Sequence, residues 1–347
     1  MSEYWISQIS PTDRRSLSQV DALLHQEGIT RDGNLDYICA MRDDEDRIIA
    51  TGSCFGATLR CFAVSREHQG EGLLNQIITH LMDVQFARGN SHLFLYTKVG
   101  SAKFFESLGF YEIARVDGTL VFMENRKSGF SGYLNRLEAT KTGGVSAALV
   151  MNVNPFTLGH QYLVETAAQN CDTLHLFLLS EDASLVPFSV RKRLVQAGIA
   201  HIPGVILHDS GPYIISSATF PSYFLKDEAA VIEGHARLDL AIFTRIAQAL
   251  NITARYVGEE PTSQVTGLYN RIMAEALPRA GIACHIIPRK CVGGAPISAS
   301  TVRLALQNGD WDTLKTLVPP ETYAYFTSPE AAPVLQKIRQ AGNVVHY

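Results

Sequence analysis

The sequence predicts an α/β protein of two domains, a mixed-sheet domain followed by a parallel-sheet domain. Two observations carry this prediction. The chain has 347 residues, which is more than one hydrophobic core usually accommodates. From Val145 onward, apolar runs of strand length alternate with helical patterns, whereas the earlier part holds neighbouring strand-like runs separated by polar turns.

Residues 1–125 form the first predicted domain. Apolar runs bounded by polar turns predict adjacent antiparallel strands over 35–41, 47–55 and 58–64. The glycine-rich loop Gln69-Gly70-Glu71-Gly72 then opens a helical pattern that ends near Phe86. Such a loop can receive a pyrophosphate on its backbone amides, although glycines also serve turns and packing. After it we predict a strand over 92–97, a helix over 101–108 and a further strand from Gly109.

Residues 126–144 are rich in Lys, Arg, Ser and Gly, and we interpret them as a connector with a short helix. Residues 145–347 form the second predicted domain. Its strands are predicted over 145–151, 173–179, 205–208, 254–257 and 283–287, and its helices over 159–170, 190–200, 239–250 and 265–280. This alternation favours a parallel sheet covered on both faces, with ligands bound at the carboxyl ends of the strands.

The first strand of this domain feeds its first helix through Asn154-Pro155-Phe156-Thr157-Leu158-Gly159-His160. The start of a helix offers unpaired N–H groups to phosphate. Gly159 lets the backbone come close to a phosphate, and His160 in the first turn can donate a hydrogen bond to a phosphoryl oxygen. A lone Gly-His pair is more often structural, so this motif needs a partner elsewhere in the chain.

A partner lies about 140 residues further on, in Ile297-Ser298-Ala299-Ser300-Thr301-Val302-Arg303. Ser298 or Ser300 can cap a helix here, and the free amides and hydroxyls can hold a polyphosphate. Arg303 lies one turn into that helix, where its guanidinium can bind phosphate oxygens. The two motifs together predict an enzyme in which a nucleophile attacks the α-phosphate of ATP.

Composition excludes several other classes of protein. The formal net charge is −4 with interspersed signs, so no basic stripe indicates a nucleic-acid or membrane partner. No apolar run approaches the ~20 residues of a membrane span, and the first residues lack a signal-peptide pattern. The six cysteines are scattered without a Cys-x-x-Cys pair, as in reduced thiols. We therefore expect a cytoplasmic protein.

The first domain resembles GNAT acyltransferases through Gln69-Gly70-Glu71-Gly72 and the segment from Ala102 to Phe110. Two positions depart from that family. Leu74 stands where a small residue is preferred, and Phe105 stands where many members have the tyrosine that protonates the leaving thiolate. A phenyl ring cannot donate that proton. The domain is therefore expected to hold a CoA-like thiol arm, or else to be a structural remnant or an interaction module.

The second domain resembles the Rossmann-like nucleotidyltransferase superfamily that carries the Thr/His-x-Gly-His motif. With Val257-Gly258-Glu259-Glu260-Pro261 between the two motifs and a GNAT-like domain in front, the whole chain resembles the citrate lyase ligase family. This resemblance implies an AMP- and pyrophosphate-forming ligase that uses ATP and acetate. Its implied partner is the acyl-carrier subunit of citrate lyase, whose CoA-derived prosthetic-group thiol becomes acetylated. The resemblance also implies Mg²⁺ on the triphosphate, without a metal site made by the protein.

The resemblance assigns catalytic roles to Thr157, His160 and Arg303. Nucleotide binding is expected from residues around the two helix starts and the end of one strand, namely Asn154, Phe156, Gly159, Gly258, Ser298, Ser300 and Thr301. Three weaker candidates remain. The turn Glu259-Glu260-Pro261 is interpreted either as a contact to the ribose, to Mg²⁺ through water or to the thiol partner, or as a solvated turn. The basic run 191–193 is interpreted as a solvated face in preference to a carrier-binding patch, and Arg289-Lys290 either as a phosphate contact or as loop charge.

Three alternatives stay open at this point. One is a plain adenylyltransferase acting on pantetheine phosphate or a mononucleotide. Another is an acetyl-CoA-dependent acetyltransferase with a nucleotide-sensing second domain, which Leu74 and Phe105 disfavour. The last is a scaffold without catalytic activity, which the intact His160 and Arg303 disfavour.

Overall fold

The computed structural model describes residues 4–216, 219–221, 223, 225, 228–259 and 264–342, with residues 228 and 264–266 described by their backbone alone. The chain divides into two compact units. Unit 1 comprises Met1–Gly132 and Pro221–Gly234, and unit 2 comprises Tyr133–Phe220 and His235–Tyr347. The change of unit after Gly132 falls inside the segment interpreted as a connector, and the return of 221–234 to unit 1 was not expected from the sequence.

Unit 1 is built on one mixed sheet. Its elements are β1 Trp5–Gln8, α1 Arg14–Gln26, β2 Tyr37–Arg42, β3 Ile48–Phe55, β4 Thr58–Val64, α2 Leu73–Ala87, β5 Phe94–Thr97, α3 Ala102–Ser107, β6 Tyr111–Val116 and β7 Leu120–Glu124. The strand order is β1-β2-β3-β4-β5-β7-β6, and β4 with β5 is the parallel pair. The predicted antiparallel strands, the helix after the glycine loop and the mixed sheet are thus confirmed.

Helix α2 begins where the glycine loop ends, because Gly72 takes a left-handed conformation with φ of 76° that a side chain rarely allows. Its apolar stripe then lies on the sheet: Leu73, Ile77, Ile78 and Leu81 are buried in the same cluster as Leu59 of β4 and Leu95 of β5. Helix α1 and strands β1 and β7 were not predicted, although α1 buries Val20, Leu23 and Leu24 at helical spacing.

Helix α4, Gly129–Glu138, follows β7 and contains the change of unit. The elements after it are β8 Ser146–Met151, α5 Leu158–Ala168, β9 Thr173–Leu178, α6 Phe188–Gly198, β10 Val205–Asp209, α7 Glu228–Leu250, β11 Ile252–Gly258, α8 Gln264–Arg279, β12 Ala283–Ile287, β13 Cys291–Val292, β14 Ala295–Pro296, α9 Ala299–Asn308, α10 Trp311–Leu317, α11 Pro320–Phe326 and α12 Ala332–Gln340.

Unit 2 has a parallel five-stranded sheet in the order β10-β9-β8-β11-β12. The predicted alternation of strands and helices is confirmed, with α7 longer than expected and the small β13–β14 hairpin unforeseen. The order reverses at β8, since the chain first builds outward to β9 and β10 and then places β11 on the opposite side of β8. Such a switch point leaves a crevice at the carboxyl ends of the two neighbouring strands β8 and β11.

Candidate active site

The first part of the site is the turn that follows β8. Val153 has a φ of 51°, which is strained for a β-branched residue, and it is held there with its side chain buried. Next to it, the Asn154 side chain is buried and its Oδ1 accepts a hydrogen bond of 3.1 Å from the Val186 amide. Its Nδ2 is buried and makes no hydrogen bond with any residue that the structure describes. This turn therefore carries a fixed, unpaired donor at the switch point.

The start of α5 fixes the orientation of the His160 ring. Thr157 caps the helix by accepting a bond of 3.2 Å from the His160 amide on its Oγ1, and its own amide donates to His160 Nδ1 at 3.1 Å. Because Nδ1 accepts this bond, the neutral ring carries its proton on Nε2. Nε2 itself makes no hydrogen bond with any described residue, so it is available as a donor.

The electrostatics keep this imidazole neutral. Burial, together with the positive charges of Arg289 and Arg303, lowers the pKa of His160 to about 4. At neutral pH the ring is therefore uncharged and donates through Nε2. A neutral donor beside two cations suits a group that gains negative charge during reaction.

The structure brings the two sequence motifs together. Arg303 Nη1 donates to the Asn154 carbonyl at 2.6 Å, across 149 positions of the chain. A Cβ added to Gly159 would lie only 3.3 Å from the Ile297 carbonyl oxygen. Glycine at 159 is therefore what lets the start of α5 approach the segment that leads into α9. The starts of α5 and α9, predicted from sequence to act together, do adjoin one another.

The distal helix is capped as expected from the sequence. Ser298 Oγ accepts the Thr301 amide at 3.0 Å and lies 2.8 Å from Thr301 Oγ1. Ser300 Oγ accepts a bond of 3.2 Å from Arg303 Nη2. The hydroxyls of Ser298, Ser300 and Thr301 thus cluster on the first turn of α9.

Two predicted site residues have surroundings that sequence reasoning did not foresee. Phe156 is completely buried, and its ring packs against Gly198 at the end of α6, where an added Cβ would lie 2.4 Å from the ring. Its side chain therefore presents no surface to a nucleotide. Arg303 is 2% exposed. Burial lowers its pKa to about 10, so it stays charged while its guanidinium is enclosed by the protein.

Gly258 ends β11 beside this site, and its carbonyl accepts a bond of 3.1 Å from Asn270. An added Cβ there would make an ordinary contact of 3.5 Å with Leu163 of α5. Of the neighbouring candidate turn, Glu260 and Pro261 lie outside the described residues, whereas the Glu259 carbonyl accepts a bond of 2.9 Å from Arg289 Nε. The loop after β11 is thereby joined to the loop after β12.

The interpretation of the basic run 191–193 as a solvated face is wrong for Arg191. That side chain is fully buried and donates to the carbonyls of Val186, Asn152 and Leu179 at 2.8 to 3.0 Å. It thus ties α6 to the loops after β8 and β9. Lys192, the next residue, instead pairs with Asp209 near the surface. No local signal distinguishes the two, because the Leu179 and Asn152 carbonyls that Arg191 bonds lie 12 and 39 residues away.

Unit 1 contains a second candidate site, a cleft of about 710 Å³. Its lining combines the glycine loop and the start of α2 with the edges of β4 and β5 and an aromatic wall, and includes Gly70, Gly72, Leu74, Phe62, Phe104, Phe105, Tyr96 and Tyr223. Phe105 is 4% exposed and packs 5.7 Å from Phe62, centre to centre. The cleft therefore carries an apolar side chain at the position that would have to supply a proton in acetyl transfer.

Within the described part of the chain, no three His, Cys, Asp or Glu side chains form a group that could hold a metal ion. Among the described helices, none is long and apolar enough to cross a membrane.

Fold and site together define a two-domain α/β protein, with one unit built on a mixed sheet and one built on a parallel sheet whose switch point lies beside the start of α5. Residues 3–110 match the acetyltransferase (GNAT) family, and residues 146–326 match the citrate lyase ligase C-terminal domain. The chain belongs to the citrate lyase ligase family, which confirms the resemblance noted in the sequence.

Named proteins show the same relationship along nearly the whole chain. The citrate (pro-3S)-lyase ligase of Haemophilus influenzae is 38% identical over 321 residues, covering 90% of this chain and 96% of that protein. The ligase of the same name from Klebsiella pneumoniae is 38% identical over 319 residues, covering 90% and 93%. That of Escherichia coli K12 is 36% identical over 326 residues, covering 92% of each.

Proposed function

We propose that this protein is an ATP-dependent ligase that acetylates the CoA-derived prosthetic-group thiol on the acyl-carrier subunit of citrate lyase. Family membership supports the reaction. The observation that carries the site is the meeting of the two motifs, in which Arg303 bonds the Asn154 carbonyl and Gly159 adjoins Ile297. A cytoplasmic location belongs to the same proposal, since the enzyme needs ATP and the lyase subunit together.

The first step forms acetyl adenylate. A carboxylate oxygen of acetate attacks the α-phosphorus of ATP, the bond from that phosphorus to the bridging oxygen breaks, and pyrophosphate leaves with the electron pair. His160 donates from Nε2 to a phosphoryl oxygen as its charge grows. The amides of Leu158 and Gly159 in the first turn of α5, which bond no described residue, add further donors. Thr157 keeps the ring in the donating orientation.

The second step moves the acetyl group to the thiol. The thiolate of the carrier attacks the carbonyl carbon of acetyl adenylate, a C–S bond forms, and AMP leaves as the C–O bond to its phosphate breaks. The cleft of unit 1 has the size and the mixed polar and apolar lining to hold a long thiol arm. Because Phe105 cannot supply a proton, we assign this cleft to binding rather than to acetyl transfer.

Mg²⁺ enters this proposal as a companion of ATP. The described residues offer no cage of carboxylates for it, and a triphosphate usually carries Mg²⁺ on its own oxygens. When bound, the ion neutralises part of the phosphate charge. The residues of the chain act on the nucleotide through hydrogen bonds and the charges of their arginines.

The decisive experiment is the mass of a thiol-bearing carrier subunit after incubation with this protein, ATP and acetate. We expect the carrier to gain one acetyl group, with AMP and pyrophosphate formed in equal amounts, and no pyrophosphate when acetate is omitted. Pyrophosphate release that needs no acetate, with adenylylation of pantetheine phosphate or a mononucleotide, would instead identify an adenylyltransferase. A carrier acetylated by acetyl-CoA without ATP would identify an acetyltransferase.

A further inference from the structure

The cleft of unit 1 lies where two parallel strands separate. Strands β4 and β5 pair through their first two residues, and the last of these pairs joins Leu59 and Leu95. Beyond it β4 continues to Val64 and β5 to Thr97, and these described stretches do not pair with each other. Both stretches line the cleft, which therefore occupies the gap between them. The gap is narrow at Tyr96, just beyond the last pair, and wide toward the glycine loop that follows β4.

Tyr223 lies at the narrow end of this gap. Its hydroxyl donates to the Tyr96 carbonyl at 2.5 Å, and its own carbonyl accepts a bond of 2.7 Å from the Thr30 amide in the loop after α1. Lys98 Nζ donates to the Glu27 carbonyl of the same loop at 3.3 Å. Tyr223 is 5% exposed, and burial raises the pKa of its phenol well above the usual range. Its ring is therefore a fixed, uncharged wall.

The two ends of the cleft differ in polarity. At the wide end Gly70 and Gly72 are exposed and have no side chain to cover the backbone. The buried part of the lining is aromatic, with Tyr223 5% and Phe105 4% exposed and the Phe105 ring 5.7 Å from that of Phe62. A thiol arm that is attached to a protein must keep its attached end at the exposed side, because the protein cannot enter. Its sulfur and acyl group therefore extend toward the aromatic end.

We propose that Tyr223 limits the size of the acyl group that the thiol arm can carry in this cleft, so that an acetyl thioester fits and longer acyl thioesters do not. The proposal rests on the proposed function for the identity of the arm. Because the ring is held through its hydroxyl, it cannot move aside for a longer chain without losing the bond to Tyr96. Tyr223 is thus a specificity-determining residue, supplied from 127 positions beyond Tyr96 in the chain.

The test measures the binding of S-acetyl-, S-butyryl- and S-hexanoyl-pantetheine to the intact two-unit protein by calorimetry without ATP. These probes present an acyl thioester to the cleft and avoid any selection of the acid during adenylate formation. We expect the parent protein to bind the acetyl form roughly tenfold tighter than the hexanoyl form, the scale on which a closed apolar pocket discriminates chain length. In Tyr223→Ala the hexanoyl form should bind at least as tightly as the acetyl form, because its methylene groups can bury apolar surface where the ring was.

Two variants are the controls. Tyr223→Phe keeps the ring and loses only the hydroxyl bond to Tyr96, so it should keep the preference for the acetyl form. Tyr111→Ala removes an exposed ring of β6 that lies outside the described lining of the cleft, and it should also keep the preference. If Tyr223→Ala does not fold, as its melting temperature would show, Tyr223→Leu is measured in its place. Leucine shortens the wall and keeps an apolar side chain, so this variant should also lose the preference.

A parent-like preference for the acetyl form in a folded Tyr223→Ala or Tyr223→Leu protein overturns the proposal, as does a lost preference in either control. A parent protein that acetylates the carrier subunit but binds the three probes equally, or binds none of them, overturns the role of Tyr223 and leaves the proposed function intact. A parent protein that shows the expected preference but adds no acetyl group to the carrier overturns the proposed function instead.

Discussion

At the scale of single residues, the site depends on how Thr157 controls one imidazole. The Thr157 amide occupies Nδ1 of His160 at 3.1 Å, which leaves the proton on Nε2. The pKa of about 4 means that this donor is neutral throughout the neutral range. A charged imidazolium would bind the ground-state triphosphate strongly, whereas a neutral donor gains most when charge develops on the reacting phosphoryl group.

We therefore expect His160→Ala to lower acetate-dependent pyrophosphate release by roughly 100-fold or more, the usual effect of removing one such donor. The variant should stay folded, because it loses only the side-chain half of a helix cap, a cost of about 1 kcal/mol. Pyrophosphate release and thermal unfolding are the two measurements. His201→Ala, which alters an exposed histidine paired with Glu165, is the control. A His160→Ala protein with parent-like activity would remove His160 from the mechanism.

At the scale of secondary-structure elements, α6 holds the turn that carries the site. Gly198, the last residue of α6, lies under the Phe156 ring, and its carbonyl accepts a bond of 2.7 Å from Gln161 of α5. Arg191, earlier in the same helix, bonds the Asn152 carbonyl. The turn after β8 is therefore fixed from one side by α6 and from the other by Arg303 of α9.

Gly198→Ala tests this support. The added methyl group would lie 2.4 Å from the buried Phe156 ring, and overpacking of this kind costs about 1–3 kcal/mol, more than the gain in helix propensity. We expect a lower free energy of unfolding in urea and slower pyrophosphate release. Gly143→Ala, where an added Cβ meets open space, should change stability by less than about 0.5 kcal/mol.

A second substitution, Phe156→Leu, tests whether the contact itself is responsible. Leucine is smaller than phenylalanine and has no ring, so it should make room for the methyl group that Gly198→Ala introduces. The double variant is then expected to be more stable than the sum of the two single effects predicts. Additive losses in this cycle would show that Gly198 and Phe156 do not act through their contact.

Local patterns predicted most of these elements, but they did not predict what joins them. The strands and helices of unit 2 follow from apolar periodicity, and Ser298 is one of the two serines predicted to cap α9. The cap that Thr157 makes on α5 was not predicted. The role of Arg191 could not be predicted, because the fold brings two of its partners, the carbonyls of Asn152 and Leu179, to it from 39 and 12 residues away. Phe156 was predicted to bind the nucleotide. Its ring is instead buried against Gly198, which lies in α6, about 40 residues further along the chain.

At the scale of the whole molecule, the two units differ in how many histidines they bury in the neutral state. In unit 2, His175 and His208 lie side by side in β9 and β10, with Nδ1 and Nε2 2.9 Å apart. Burial lowers the pKa of each to about 4, as it does for His160. Burial also lowers the pKa of His235 in unit 2 and of His80 in unit 1. A fall in pH should therefore destabilise unit 2 more than unit 1.

The direction follows from proton uptake. An unfolded chain protonates its histidines near pH 6.5, whereas the folded unit 2 resists protonation until about pH 4. Between these values the unfolded state binds more protons. The stability that the buried neutral histidines contribute to unit 2 is therefore complete above pH 6.5 and is lost as the pH falls toward 4. We expect the urea midpoint of unit 2 to fall more than that of unit 1 between pH 7 and pH 5.

The chain offers a separate probe of each unit, because its two tryptophans are Trp5 in β1 and Trp311 in α10. Fluorescence of Trp5→Phe follows unit 2 through Trp311, and fluorescence of Trp311→Phe follows unit 1 through Trp5. The urea midpoint should fall more steeply with decreasing pH in Trp5→Phe than in Trp311→Phe. Replacing the exposed His25 of unit 1 by Gln is the control, because it leaves every buried histidine in place, and it should leave both slopes unchanged. Equal slopes in the two tryptophan variants would mean that the buried histidines of unit 2 do not control its response to acid.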